Sequence, residues 1–214
     1  MKDVDRVWAV GRHTIQPLTQ FFARLKVYGM ERVPLEGGVV LAFNHVHWID
    51  PPAAGAASPR TVYFMAKQEI HRVPGLGHLI RSFGTFSVRR GESDREAVRL
   101  MREVVEEGKA LGLFVEGTRQ KQAYPGEVLP GAAMAALQGD VPVVCGAIYG
   151  AYRWRPFRPV SVAWGEPMRF DGLPKGGRGY REASHEIQAE IRKLWEWLGE
   201  IHADGRPSTA TPPA

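Results

Sequence analysis

The chain is poor in cysteine: Cys145 stands alone among 214 residues. An internal disulfide framework is therefore excluded, and the count fits a reducing compartment. Cys145 sits inside the apolar run 141–148, where a thiol is expected to pack as a small hydrophobe rather than act as a nucleophile. No segment reaches about 18 uninterrupted apolar residues, so no transmembrane helix is expected. The polar opening Met1-Lys2-Asp3-Val4-Asp5-Arg6 leads into no apolar core and is a poor secretory signal. A Walker-type glycine loop and a dinucleotide fingerprint are both missing, which leaves nucleotide hydrolysis without support. Internal repeats are missing too.

What the chain does contain suits one globular domain with a sizeable core: 44% of residues are hydrophobic. A net charge of +5 and a pI near 9.5 favour anionic partners, whether nucleic acid, phosphate-bearing small molecules or an anionic membrane surface. Tyr152-Arg153-Trp154-Arg155-Pro156-Phe157-Arg158 alternates cations with aromatics. Such a loop can stack on bases, sit at a lipid headgroup layer, or be an ordinary solvated loop. Residues 6–28 read as one or two short amphipathic helices broken at Pro17, suited to a membrane interface or to packing on their own domain.

From residue 39 onward, apolar runs alternate with helical patterns. The runs predict strands at 39–43, 61–65, 85–88, 110–115, 141–148 and 160–164. The clearest helix spans 94–107, opened by a Ser93/Glu96 capping box and closed by Gly108. Others are expected near Asp50 (N-cap, with Pro51 at the first helical position), from Pro130 to Gly139, and over 180–203. Alternation of this kind predicts an α/β domain with a mainly parallel central sheet flanked by helices. The expected organisation is an N-terminal amphipathic helical element over 1–30, the α/β domain over 31–203, and a disordered tail over 204–214.

Polar clusters follow four of the apolar runs: Asn44-His45, Lys67, Arg89-Arg90, and Glu116-Gly117-Thr118-Arg119. Strand carboxyl ends share one edge of a parallel sheet, and open α/β sheets bind ligands there. A histidine, an aspartate, several cations and a glutamate are thus expected to converge. Imidazole titrates near neutrality, and a carboxylate on its second nitrogen fixes the tautomer and raises basicity. Positions five apart on a regular helix are separated by about 140°, so a His45–Asp50 contact needs a turn across 46–49, which Pro51 would favour by keeping Asp50 out of α geometry. His45, His47 and Asp50 could alternatively share a metal, but no further ligand cluster completes a closed site. Arg89 suits a phosphate contact, and Gly117 permits close backbone approach at an anion-binding turn.

Taken in order, these blocks resemble the glycerolipid acyltransferases, specifically the lysophosphatidic acid acyltransferases of PlsC type. The matching blocks are Asn44-His45 through Asp50 (HxxxxD), Gly84–Arg89, Phe114–Arg119 and the Pro142 run, with the Lys67 segment between them. The third block usually reads Phe-Pro-Glu-Gly-Thr-Arg-Ser; here Val115 replaces the proline and Gln120 the serine. The resemblance implies His45 as general base and Asp50 as its orienter. It implies Lys67, Arg89 and Arg119 as holders of an acceptor phosphate, with Glu116, Gly117 and Thr118 in the same pocket. It further implies acyl-CoA or acyl-carrier protein as donor, no cofactor or metal, and lysophosphatidic acid or a related lysophospholipid as acceptor. The protein would act as a peripheral one at the cytoplasmic face of the cell membrane, with an anionic membrane surface as partner and no nucleic acid.

Overall fold

A computed structural model describes residues 2–88 and 95–214. Arg89, Arg90 and the Ser93 cap lie outside the described residues. The order is α1 (Lys2–His13), α2 (Ile15–Phe22), β1 (Lys26–Tyr28), β2 (Val39–Phe43), α3 (Asp50–Ala57), β3 (Val62–Lys67), α4 (Gln68–His71), α5 (Leu76–Ser82) and β4 (Phe86–Val88). Then come α6 (Arg95–Glu106), β5 (Ala110–Phe114), α7 (Gly131–Gly139), β6 (Val143–Tyr149), β7 (Ser161–Trp164) and α8 (Gly177–Ala203).

The seven strands form one sheet in the order β1-β7-β6-β2-β5-β3-β4. Five of them, from β6 to β4, run parallel; β7 is antiparallel to β6, and β1 runs parallel to β7. The central strand β2 is buried on both faces, which is why it reads as an unbroken apolar run rather than an alternation. Its side chains divide by parity. Val40 and Ala42 join the core beneath α6, α7 and α8, while Val39, Leu41 and Phe43 join the core beneath α1 to α3. Alanines line the buried helix faces, with Ala53, Ala54 and Ala57 of α3 and Ala132, Ala133 and Ala136 of α7 all buried. Small side chains let a helix axis approach the sheet closely.

The N-terminal helices do not float free of this core. Trp8 is buried, its indole N–H donates to Phe83 O at 3.0 Å, and its ring meets Phe83 edge-on. Their opposite face remains exposed at Val10, Leu18 and Phe21. The helix break falls at Thr14 and not at Pro17, because a proline in the first turn of α2 forfeits no intrahelical donor. Residues 26–28 are a strand rather than the end of a helix. Segment 204–214, expected to be disordered, instead lies irregular but bonded against the domain. Arg32 donates to Pro212 O (2.8 Å) and Pro213 O (2.9 Å), Arg206 donates to Arg24 O (2.8 Å), and Pro212 is buried. Backbone carbonyls anchor it, and carbonyls leave no trace in composition.

Candidate active site

Where β2 ends, Asn44 continues the sheet with its side chain. Its amide donates to Ile148 O (3.0 Å) and accepts from Ile148 N–H (2.7 Å), so the link to β6 persists after the backbone turns away. His45 follows immediately, and the loop after β5 grips its peptide from both sides. Its N–H donates to Glu116 Oε2 at 2.7 Å, and its carbonyl accepts from Gln120 N–H at 2.8 Å. The ring stacks on Phe114, with centroids 4.3 Å apart and planes at 30°.

The turn across Val46–Ile49 is built around Asp50. Oδ2 of Asp50 lies 2.8 Å from His45 Nδ1 and also accepts the N–H groups of Val46 and His47, each at 2.7 Å. An ionised carboxylate only accepts, so Nδ1 carries the proton and Nε2 carries the lone pair. Asp50 is the first helical residue of α3 with Ile49 as N-cap, not the N-cap itself. Pro51 therefore does not keep it out of the helix; three donors on Oδ2 make the turn. The carboxylate is fully buried, and Oδ1 has no partner among the described residues. His45 Nε2 has no partner among the described residues and is not one of the buried unpartnered atoms, so it faces the open edge.

Glu116 does not reach outward. Oε1 accepts from Gly126 N–H (2.7 Å), Oε2 from His45 N–H, and the residue is 6% exposed. Burial pushes its carboxyl up to about 7; the two N–H donors oppose this, and Asp50 adds to it. Its place in the expected acceptor pocket is therefore indirect: it joins the His45 loop to the loop at Gly126. Gly117 sits at φ +67°, a left-handed backbone conformation that favours glycine at this turn. Val115, standing where a proline is usual, donates its N–H to Phe43 O at 2.9 Å, a bond proline cannot make.

Thr118 and Arg119 project from this turn and are exposed. Arg119 lies close enough to His47 to help lower that imidazole's pKa, after burial as the main cause. Lys67 ends β3, half-buried, at the same sheet edge as His45 and Glu116. Arg89, expected beside them, lies outside the described residues. Among the described residues, no group of three His, Cys, Asp or Glu side chains could hold a metal. Cys145 is buried with its thiol pKa pushed up by burial, which disqualifies it as a nucleophile. Four contributors escaped the sequence reading: Asn44 as a sheet link, Phe114 as a ring support, and Gln120 and Gly126 through backbone N–H groups. Only the first two had a signal, their adjacency to the motif blocks.

The family model described as Acyltransferase matches residues 24–149, which carry β1 to β6 and the whole of this site. The chain belongs to the acyltransferase family. Within that family it is 29% identical over 184 residues to a 1-acyl-sn-glycerol-3-phosphate acyltransferase of Bacillus subtilis (strain 168), covering 83% of this chain and 91% of that one. A protein of the same name from Neisseria gonorrhoeae is 38% identical over 81 residues, 37% of this chain and 31% of its own. The crystal structure of the 1-acyl-sn-glycerophosphate acyltransferase PlsC from Thermotoga maritima superposes with a TM-score of 0.71 at 24% identity. It covers 93% of this acyltransferase and 84% of the other chain, and shows that the fold is shared.

Proposed function

We propose that this acyltransferase moves a fatty acyl group from acyl-CoA or acyl-carrier protein to the sn-2 hydroxyl of 1-acyl-sn-glycerol-3-phosphate, giving phosphatidic acid. The carrying observation is the His45 Nδ1–Asp50 Oδ2 contact of 2.8 Å with Nε2 left open at the sheet edge. Nε2 takes the hydroxyl proton as the alcohol oxygen bonds to the thioester carbonyl carbon. The carbon–sulfur bond then breaks, and the leaving thiolate takes the proton back from the imidazolium. Asp50 holds the tautomer beforehand and stabilises the imidazolium in between. So written, the reaction uses neither metal nor cofactor.

Lys67 and Arg119, joined by Arg89, would bind the acceptor phosphate; guanidinium forks suit paired oxygens, and lysine adds a point charge. The names of the relatives support a lysophosphatidic acid acceptor. A lipid acceptor places the work at a membrane surface, for which we assign the cytoplasmic face and a peripheral attachment. Among the described residues no helix is long and apolar enough to cross a bilayer. The test is thiol release from acyl-CoA across a panel of lysophospholipids, with His45→Ala as control. Turnover with lysophosphatidic acid that His45→Ala abolishes is expected; equal turnover by the two proteins would sink the mechanism.

A further inference from the structure

Acyl transfer needs a base for the hydroxyl and also a donor for the negative charge that gathers on the thioester oxygen, best set in place beforehand. The loop that carries His45 has few main-chain donors to spare. His45 N–H is held by Glu116, and Val46 and His47 N–H by Asp50 Oδ2. Asp50 N–H goes to His47 O at 3.2 Å, and Ile49 N–H to the His47 ring. Within 45–50 this leaves Trp48 N–H alone, so a pair of free backbone donors cannot form there.

The side chain of His47 is built for the task. Ile49 N–H lies 3.4 Å from His47 Nδ1. A backbone N–H only donates, so Nδ1 is the acceptor and the proton of the neutral ring sits on Nε2. His45 is the reverse, with its proton on the Nδ1 that faces Asp50. Two residues apart on one turn, the imidazoles thus present opposite atoms, a lone pair at His45 Nε2 and an N–H at His47 Nε2. That N–H has no partner among the described residues and is not one of the buried unpartnered atoms, so it faces outward. The half-buried ring rests against Trp48 (centroids 5.5 Å) and meets Trp154 edge-on at 6.2 Å. Burial holds its pKa below the ordinary histidine value; Asp50 opposes this, while Arg119 and His45, both near enough to act, reinforce it.

We propose that His47 is a second catalytic histidine, its Nε2–H donating to the thioester carbonyl oxygen as charge develops there. The acceptor oxygen bonds to the carbonyl carbon, the carbonyl π pair moves onto its oxygen, and that oxygen accepts the His47 N–H without taking the proton. When the pair returns and re-forms the carbonyl, the carbon–sulfur bond breaks, and the thiolate takes its proton from the His45 imidazolium. A neutral imidazole suits this role, since it donates without setting a second cation beside that imidazolium. The alternative use, gripping the acceptor phosphate beside Arg119, is better served by a charged ring, which burial and Arg119 disfavour. The proposal rests on the acyl-transfer reading, but not on which alcohol is the acceptor.

Two readouts on the full chain test it. The first needs no turnover. Acyl-CoA with an isotope-labelled thioester carbonyl, bound without acceptor, should show its carbonyl stretch at lower frequency than in water. His47→Phe, which keeps a ring and removes the donor, should move the band back up. The second is steady-state kinetics with whichever lysophospholipid the enzyme accepts. His47→Phe should lower kcat about 10²–10³-fold while acceptor KM stays within about threefold. His47→Gln, whose amide NH2 reaches about as far as Nε2, should regain about tenfold of that loss. Thermal melting checks that the chain folds without the Ile49–His47 bond; should it not, the wild-type band decides. An unshifted band in the wild type, a near wild-type kcat in His47→Phe, or a loss confined to acceptor KM each overturns the proposal, the last by giving His47 to the phosphate. Turnover that survives His45→Ala would instead sink the base mechanism, while leaving the carbonyl band where His47 sets it.

Discussion

The two halves of the site are built in opposite ways. On the base side, every polar group of His45 except Nε2 is engaged: N–H by Glu116, carbonyl by Gln120, Nδ1 by Asp50, and the ring face by Phe114. On the proposed acceptor side, Lys67 is half-buried and Arg119 exposed, and neither side chain has a hydrogen-bond or ion-pair partner among the described residues. A general base works only within hydrogen-bond reach and in one tautomer, so its orientation must be set before substrate arrives. A cation that reads phosphate acts over longer distance, and leaving it unpaired spares the breaking of a protein ion pair on binding. On the proposed roles, position is fixed where geometry would do the chemistry, and charge is left free where charge would do the binding.

Variants on the base side give the largest effects. His45→Ala should lower turnover by roughly 10²–10⁴ while the chain still folds, since Val46 and His47 N–H groups continue to hold Asp50 Oδ2 and only the Phe114 stacking and one donor are given up. Asp50→Ala should lose turnover on a comparable scale and in addition destabilise the fold by about 1–3 kcal/mol, because Val46 and His47 N–H groups lose their acceptor. Urea unfolding separates the two. Equal stability of both variants would mean that Asp50 orients the ring without organising the turn.

The acceptor side should answer through affinity. Arg119→Ala is expected to raise KM for the phosphorylated acceptor by about 10- to 100-fold, the range for losing a hydrogen bond to a charged group, with turnover at saturation nearly unchanged. Steady-state kinetics over acceptor concentration decide it. A fall in kcat at constant KM would move Arg119 into the catalytic half and dissolve the contrast.

How much of this was readable beforehand follows the same division. The parallel strands announce themselves as apolar runs, and polar residues placed directly after them predict which side chains meet at the edge. The convergence of His45, Asp50, Lys67 and Glu116–Arg119 is therefore visible in spacing. Strand β1 is not, since three residues on the sheet margin carry too little pattern to separate from a preceding helix. Helices α4 and α5 were equally silent, because Ile70, Leu76 and Leu79 remain exposed and no buried stripe marks them. Backbone partners escape by nature. Gln120 and Gly126 serve through N–H groups that any residue but proline owns, and the tail is held through carbonyls. Glu116 was expected to help shape the acceptor pocket, and its place in the motif gives no sign that two main-chain donors occupy its carboxylate.

Glu116 is where the contrast can be tested most finely, because its neighbour Arg119 belongs to the other half. Glu116→Gln keeps one acceptor oxygen but turns an NH2 toward a backbone N–H, so the His45 loop should loosen by about 1 kcal/mol and kcat should fall a few-fold. KM for the acceptor should stay put; a rise in KM without loss of kcat would return Glu116 to the phosphate side. Stability against pH offers a second readout. The carboxyl is raised by burial from its ordinary 4.5 to about 7 in the folded chain. Between those values the folded state holds a proton that the unfolded state has released, so stability from this group is full below about 4.5 and is lost as pH rises through about 7. Unfolding at pH 5 and pH 8 should show a smaller drop in Glu116→Gln than in the wild type. Parallel drops would mean that solvent reaches the carboxyl, and that the brace behind His45 is looser than two 2.7 Å bonds imply.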